Sequence, residues 1–247
     1  GLASSAMSVC CIIFFNIVMI LTSLYFTAQG PINTMSDARA QNMEKRRVRI
    51  LAEARKMLAK GGFDALKLRD LAEASDITVP TIYNLIGNKT DILKTLVMGS
   101  FAEYEASMEK KLPCPAEQLP ALMIDTLMDI ISRDEDYFRA TALASEHIEN
   151  ELDELDNYGF RRAPLIKYAG QLCHDAKAEG LLRGDIGSEQ LILQMTCTHH
   201  IAFQDWAHHA ISLAEFKNQF LSGIYVALAA DAVDDFRNRL AAKLENF

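Results

Sequence analysis

The sequence predicts an all-α protein, and three observations support that fold class. Only 12 glycines and 6 prolines occur among 247 residues, too few for a β protein built on tight turns. Apolar residues make up 50% of the chain and charged residues 23%, a balance typical of a folded globular protein. Apolar side chains also recur at helical spacing through most of the sequence. A chain of this length is expected to form one or two domains.

Charge divides the chain into three segments. Residues 43–90 contain ten Lys and Arg against six Asp and Glu, whereas residues 91–247 contain 14 against 26. Residues 1–42 are neutral, so the net charge of −8 conceals a basic segment followed by an acidic one. A compact basic segment is typical of a nucleic-acid-binding domain. We expect the domain boundaries to coincide with the limits of these three segments.

The first segment, residues 1–42, is an apolar leader with a polar linker. Residues 9–26 carry no charge and as a helix would be about 27 Å long, close to the thickness of a bilayer core. No Lys or Arg precedes Arg39, which argues against a signal peptide. Three interpretations stay open: an extension outside the working protein, a membrane anchor for a DNA-binding regulator in the cytoplasm, or a buried packing helix.

The basic segment, residues 43–90, has the pattern of a three-helix domain with a helix-turn-helix. Apolar residues of 44–60 follow a helical stripe that ends at Gly61-Gly62, and glycine suits the left-handed position after a helix. Two short helices follow, LRDLAEAS and TVPTIYNLI, the second with Thr78 as N-cap and Pro80 in its first turn. Only three residues link them, so we expect the second short helix to enter the major groove.

The residues GGFDALKLRDLAEASDITVPTIYNLIGNKTDIL resemble, in one ungapped register, the DNA-binding signature of the TetR family of bacterial transcriptional regulators. The resemblance implies a homodimeric regulator, most simply a repressor, that binds a near-palindromic operator in double-stranded DNA and responds to a small-molecule effector. The positions that match the family's DNA-contacting residues, together with basic side chains beside them, are Lys67, Arg69, Thr78, Val79, Pro80, Thr81, Tyr83, Asn84 and Lys89.

The resemblance also implies a role for several of these residues. Thr81 and Tyr83 match positions that contact the DNA backbone, where hydroxyl groups donate to phosphate oxygens. Asn84 matches a variable position, and its amide could pair with adenine. Lys89 matches the family's phosphate-contacting lysine. The alternatives are that Tyr83 packs its ring against the protein and that Lys89 caps helix carbonyls.

Three positions depart from the family's pattern without breaking the predicted fold. Lys67 stands where a Ser or Thr cap is common, so the helix start loses a side-chain acceptor and gains a possible phosphate contact. Asp76 replaces a common turn glycine, and aspartate is one of the few residues that tolerate the left-handed conformation. Leu85 replaces a frequent His or Tyr, which removes one expected phosphate contact.

The acidic segment, residues 91–247, has the pattern of successive helices. Periodicity predicts them at 91–112, 116–132, 134–148, 151–180, about 188–209 and 211–240, with Ser188 and Ser212 as N-caps. A looser resemblance to the family's ligand-binding and dimerisation domain implies that the last two long helices pair with their copies in a homodimer. The apolar residues available for that interface, or for the chain's own core, are Ile192, Met195, Ile201, Ala202, Phe220, Ile224, Tyr225 and Leu228.

We also expect an effector cavity within the acidic segment. Its volume should fall near the ~300–1,000 Å³ of most small-molecule sites, and a neutral or cationic apolar ligand is favoured. An anionic effector would need a basic partner, for which the candidates are Arg139, Arg161, Arg162 and Lys167. The residues expected to line the cavity, or else to form plain core, are Phe101, Tyr104, Met123, Met128, Tyr137, Phe138, His147 and Tyr168.

An all-α metal-dependent enzyme is the rival to a regulator. Four histidines lie within residues 199–209, and His147 has Glu146 and Glu149 beside it. Histidines eight residues apart on one helix are about 12 Å apart and cannot converge on a metal ion. No activated nucleophile, phosphate loop or cofactor motif accompanies them, so we predict no enzyme activity, metal or cofactor. The cysteines are an odd number and include no C-x-x-C pair of a zinc or redox site: Cys10, Cys11, Cys114, Cys173 and Cys197. A disulfide framework is therefore disfavoured, and a reducing, cytoplasmic location is favoured.

Overall fold

The computed structural model describes the backbone of residues 34–148, 154–245 and 247, and the side chains of residues 38–146, 164–245 and 247. The apolar run at residues 9–26, with its three interpretations, lies outside the described residues. Within the described ranges no helix is both long enough and apolar enough to cross a bilayer. The chain divides into two compact units, residues 1–47 and 48–247. The first unit is described only as the beginning of a helix, in which residues 38–46 are exposed.

The described ranges form ten helices, which confirms the all-α prediction. They are α1 (Thr34–Ala65), α2 (Leu68–Ala74), α3 (Val79–Leu85), α4 (Lys89–Glu109), α5 (Leu119–Ile131), α6 (Glu135–Ile148), α7 (Glu154–Ala178), α8 (Ser188–Ala207), α9 (Leu213–Asp231) and α10 (Asp234–Leu244).

Glycine interrupts α1 where the sequence predicts its end. Gly61 and Gly62 both have non-helical backbone angles, and Gly62 takes a φ of +66°, which a side chain would strain. The chain can therefore turn, and Leu66 joins Ile50 and Leu58 of α1 in one buried cluster.

The predicted helix over 211–240 is wrong, because the structure breaks it at Ala232 and Val233. Both residues have extended backbone angles, and they pair with the segment before α8: Val233 donates to the carbonyl of Leu181 at 3.0 Å. Ser212 does cap α9, accepting from the Glu215 N–H at 3.2 Å. Ser188, in contrast, is the first residue of α8, and Gly187 occupies its N-cap position.

Two clusters of buried side chains form the interior of residues 48–247. The larger joins α4, α5 and α7–α10, and the smaller joins α1–α4. Helix α6 contributes to both, with Tyr137 and Ala144 in the smaller cluster and Ala142 in the larger. Successive helical residues point roughly 100° apart, so one helix can present different faces to two cores. Helix α6 therefore connects the smaller cluster, which contains the core of the helix-turn-helix, to the larger cluster of the acidic segment.

Candidate nucleic-acid interface and effector cavity

Hydrogen bonds to the backbone fix the turn between α2 and α3. The N–H of Ile77 donates to the carbonyl of Ala72 at 3.0 Å, and Asp76 takes a φ of +51°. That left-handed conformation is the one aspartate is expected to tolerate in place of glycine. From α1, Arg49 Nη2 donates to the carbonyl oxygen of Asp76 at 3.3 Å. The turn thereby sets the direction in which α3 leaves α2.

Helix α3 buries one side and exposes the other. Ile82 is completely buried, whereas Tyr83 is 53% exposed and Asn84 is also exposed. The alternative in which the Tyr83 ring packs against the protein is therefore not supported. The nine residues predicted to contact DNA are all exposed or half-buried: Lys67, Arg69, Thr78, Val79, Pro80, Thr81, Tyr83, Asn84 and Lys89.

Two hydroxyl groups meet at the start of α3. Thr78 occupies the predicted N-cap position, but its side chain accepts no backbone hydrogen bond. Its Oγ1 instead lies 2.9 Å from Oγ1 of Thr81. Only one proton is used in such a pair, so the other hydroxyl can still donate to a phosphate oxygen.

Lys89 begins α4 and rests against an aromatic ring. Its Nζ lies 3.9 Å from the ring centroid of Phe63. Burial lowers the pKa of Lys89, and the nearby Asp64 opposes that effect. The helix start itself is capped by Asn88 and Asp91, whose side chains each accept the other's backbone N–H at 2.9 Å. The Lys89 side chain is thus held beside the first turn of α4, and the residue as a whole is half-buried.

A cavity of about 170 Å³ lies between α4 and the helices that follow it, smaller than the range the sequence led us to expect. Three of the predicted lining residues, Phe101, Tyr104 and Phe138, do line it. Tyr104 also donates its hydroxyl to the carbonyl of Met123 at 3.1 Å. Burial raises the pKa of Tyr104, so the hydroxyl stays protonated.

Four other predicted lining residues lie elsewhere, which corrects that part of the prediction. Met123 and Tyr168 are buried in the larger cluster, and Met128 packs against it. Tyr137 belongs to the smaller cluster. Their side chains point toward packed neighbours, so they fill core instead of bordering a void. The side chain of His147 lies outside the described residues.

Sequence reasoning missed the wall of the cavity contributed by α8. His199, His200, Phe203 and Gln204 all line it. Helical periodicity identifies an inward face but does not reveal which inward residues border empty space, so no sequence signal was available. Within the described residues no group of three or more His, Cys, Asp or Glu is placed to hold a metal ion.

An arginine joins the helix-turn-helix domain to α6. Arg55 Nε donates to Asp134 Oδ2 at 3.0 Å, and the guanidinium carbon lies 4.0 Å from the ring centroid of Tyr137. The ring of Phe138 meets that of Tyr137 edge-on at 5.0 Å. Because Phe138 lines the cavity, one continuous set of contacts leads from the cavity to α1.

Comparison with known proteins finds similarity to bacterial transcriptional regulators. Residues 50–96 match the sequence model described as "Bacterial regulatory proteins, tetR family". The HTH-type transcriptional repressor KstR of Mycobacterium tuberculosis (strain ATCC 25618 / H37Rv) is 24% identical over 127 residues, which cover 49% of this chain and 58% of that protein. The chain therefore matches little more than half the length of that curated relative.

Solved structures of similar proteins share the fold. SmeT, the repressor of the Stenotrophomonas maltophilia multidrug efflux pump SmeDEF, has a TM-score of 0.57 at 20% identity and covers 77% of this chain and 92% of its own. A TetR-family transcriptional regulator from Agrobacterium tumefaciens has a TM-score of 0.56 at 22% sequence identity. The match covers 77% of this chain and 100% of that one. The fatty acid degradation regulator FadR from Bacillus halodurans has a TM-score of 0.57 at 14% sequence identity. The match covers 71% of this chain and 97% of that one.

Proposed function

We propose that the chain, whose residues 50–96 match the TetR family of bacterial regulatory proteins and which resembles the repressor KstR, is a ligand-responsive transcriptional repressor. In this proposal a homodimer binds a near-palindromic operator and leaves it when a small molecule fills the cavity. The names of KstR and SmeT, both repressors, support repression over activation.

The observation that carries the proposal is the solvent-facing side of α3. Its buried Ile82 fixes the helix on the domain, while Tyr83 and Asn84 project outward. An outward helix after a tight turn is the arrangement that reads base edges in a major groove. The surrounding segment, residues 43–90, has an excess of basic side chains, which supplies attraction to phosphate.

An exposed apolar stripe supports the homodimer. Leu193, Cys197 and Ile201 are exposed on α8 at intervals of four residues, so they lie on one helical face. Val226 on α9 is 59% exposed, and α8 and α9 pack along each other so closely that a Cβ on Gly223 would collide with Thr198. Exposed apolar residues on two helices that pack together are typical of a protein interface, and a two-fold contact would use the same patch on both copies.

Most of the residues first considered for this interface belong to the chain's own core. Only Ile201 is exposed, and Ile192 is half-buried. The other six are buried within the chain: Met195, Ala202, Phe220, Ile224, Tyr225 and Leu228. The dimer that we propose therefore uses Leu193, Cys197, Ile201 and Val226 as its apolar contacts.

Side chains shared between the cavity and the helix-turn-helix domain support ligand response. Phe101 and Phe138 line the cavity and also pack against the smaller core cluster. A ligand that moves either ring alters the packing of the domain that carries α3. The effect on DNA affinity is limited by how much more tightly the ligand binds one arrangement than the other.

The test is to recover bound sequences from random DNA and then to measure affinity against salt. We expect a near-palindrome, and we expect Asn84→Ala to change its base preference. Lys89→Ala should weaken binding to all sequences and reduce the salt slope by ~1. Lys177→Ala, which removes an exposed charge from the acidic segment, is the control and should change neither. Equal affinity for selected and random DNA at every salt concentration would contradict the proposal.

A further inference from the structure

The size of the cavity limits its occupant to a molecule of about one ring. At about 170 Å³ it is smaller than most drug-sized sites. It is close to the ~150 Å³ of an engineered apolar cavity that binds benzene. A cavity of this size suits a ligand of about one aromatic ring, and a long acyl chain would extend beyond it.

Aromatic rings form one wall of the cavity. Phe203 stacks on the imidazole of His199 with centroids 5.4 Å apart, and Phe220 meets that imidazole edge-on at 4.7 Å. Phe101 and Phe138 approach the cavity from α4 and α6. Aromatic groups prefer offset-stacked or edge-on neighbours, and this wall offers ring faces and edges to a further ring.

The described lining contains no Asp, Glu, Lys or Arg side chain. Arg139, a buried cation on α6 that is not among the lining residues, donates to Glu135 from both Nε and Nη2, at 3.0 and 2.6 Å. Its guanidinium carbon also lies 4.6 Å from the ring centroid of Trp206. Apart from the imidazoles of His199 and His200, the described lining offers a charged ligand no opposite charge to replace its lost hydration, which favours a neutral molecule.

The cavity nevertheless carries hydrogen-bonding groups. Oε1 of Gln204 is buried and accepts no hydrogen bond from the described residues. The hydroxyls of Ser100, Thr141 and Ser145 donate to carbonyls one turn back on their own helices, which leaves their oxygens as acceptors. A carboxamide can turn to present either its oxygen or its NH₂ group, and a ligand hydroxyl can pair with both.

We propose that the cavity selects a neutral, single-ring aromatic molecule bearing one hydroxyl group, a small phenol, with the Gln204 carboxamide pairing with that hydroxyl. This inference rests on the proposed function, since it names the class of effector for the same cavity. Gln204 is a specificity-determining residue in this arrangement, because a site with an unpaired polar group discriminates against ligands that cannot satisfy it.

The test compares three single-ring probes by calorimetry on the full chain: para-ethylphenol, ethylbenzene and para-ethylbenzoate. We expect para-ethylphenol to bind ~10-fold more tightly than ethylbenzene, the value of one net hydrogen bond, and para-ethylbenzoate to bind most weakly. Gln204→Met keeps the side-chain length and should bring the two neutral probes to similar affinity. Gln190→Met, on the same helix and outside the cavity, should keep the ~10-fold difference.

Two kinds of result separate this inference from the proposed function. Three outcomes would overturn the ligand class: equal affinity for the two neutral probes, tighter binding of the carboxylate, or an unchanged affinity ratio of the neutral probes in Gln204→Met. The proposed response to a ligand would then still stand, with an effector of another class. If para-ethylphenol binds as expected but operator affinity does not fall, the ligand class stands and the coupling to DNA fails.

Discussion

Arg55 combines an ion pair and a ring contact in one side chain. Its salt bridge to Asp134 is partly exposed and so worth little alone, but its guanidinium also lies over the buried Tyr137. We expect Arg55→Ala to lower the free energy of unfolding by about 1–2 kcal/mol. Arg55→Lys should recover only part of that loss, because an ammonium group lacks the planar face that covers a ring. Urea denaturation measures the free energy of unfolding of both variants.

The neighbouring Lys56 provides the control for Arg55. It pairs with Glu53 at 2.8 Å on the same helix and is 71% exposed, so Lys56→Ala should leave stability nearly unchanged. Similar losses for Lys56→Ala and Arg55→Ala would mean that charge on α1, and not the contact with Tyr137, is what matters.

At the same scale, Tyr137 and Phe138 show what sequence alone can predict. Both are aromatic, adjacent and on an amphipathic helix, and the sequence predicts both as lining residues. The structure places only Phe138 at the cavity and puts Tyr137 under Arg55. Periodicity indicates that a residue points inward, but its neighbour there is set by a helix distant in the chain. Ile82 is buried and Tyr83 exposed, as predicted, since the nearby motif fixes the orientation of α3.

At the scale of elements, one buried carboxylate shapes the end of α9. Asp231 is 1% exposed and accepts from the backbone N–H groups of Gly184, Asp185 and Ile186 at 2.9, 2.8 and 3.0 Å. It thereby fixes the loop before α8 to the end of α9. Helical periodicity predicted an uninterrupted helix here, and no glycine or proline within residues 224–240 marks a break. The interruption depends on a partner about 46 residues earlier.

Removing this carboxylate should be costly. We expect Asp231→Ala to lower the free energy of unfolding by about 3 kcal/mol, since three backbone donors lose a charged acceptor in a buried site. Asp234→Ala is the matched control, because Asp234 is 88% exposed in its pair with Arg183 and should cost below about 1 kcal/mol. Denaturant midpoints compare the two, and equal losses would show that the loop does not depend on Asp231.

At the scale of the whole molecule, the charge distribution bears on how the protein binds DNA. The acidic segment has 26 Asp and Glu against 14 Lys and Arg, so it is poorly suited to offer a second DNA-binding surface. One copy of α3 reads only a few base pairs. A second copy of the chain is the simplest way to double the contact, and the exposed stripe on α8 and α9 is where we expect that copy to bind.

We therefore expect Ile201→Glu to dissociate the proposed dimer and to weaken operator binding. Ile201 is 62% exposed, so the substitution costs the folded monomer little, but in a two-fold interface it would bury two like charges. The free energy of dimerisation should fall by about 3 kcal/mol, which raises the dissociation constant of the dimer roughly 100-fold. Analytical ultracentrifugation measures this constant. Ile166→Glu, at an apolar residue of α7 that is 41% exposed, is the control and should remain dimeric. If Ile201→Glu stays dimeric and binds operator normally, the interface lies on another face; if it is monomeric yet binds the full site unchanged, the two-fold reading of DNA is wrong.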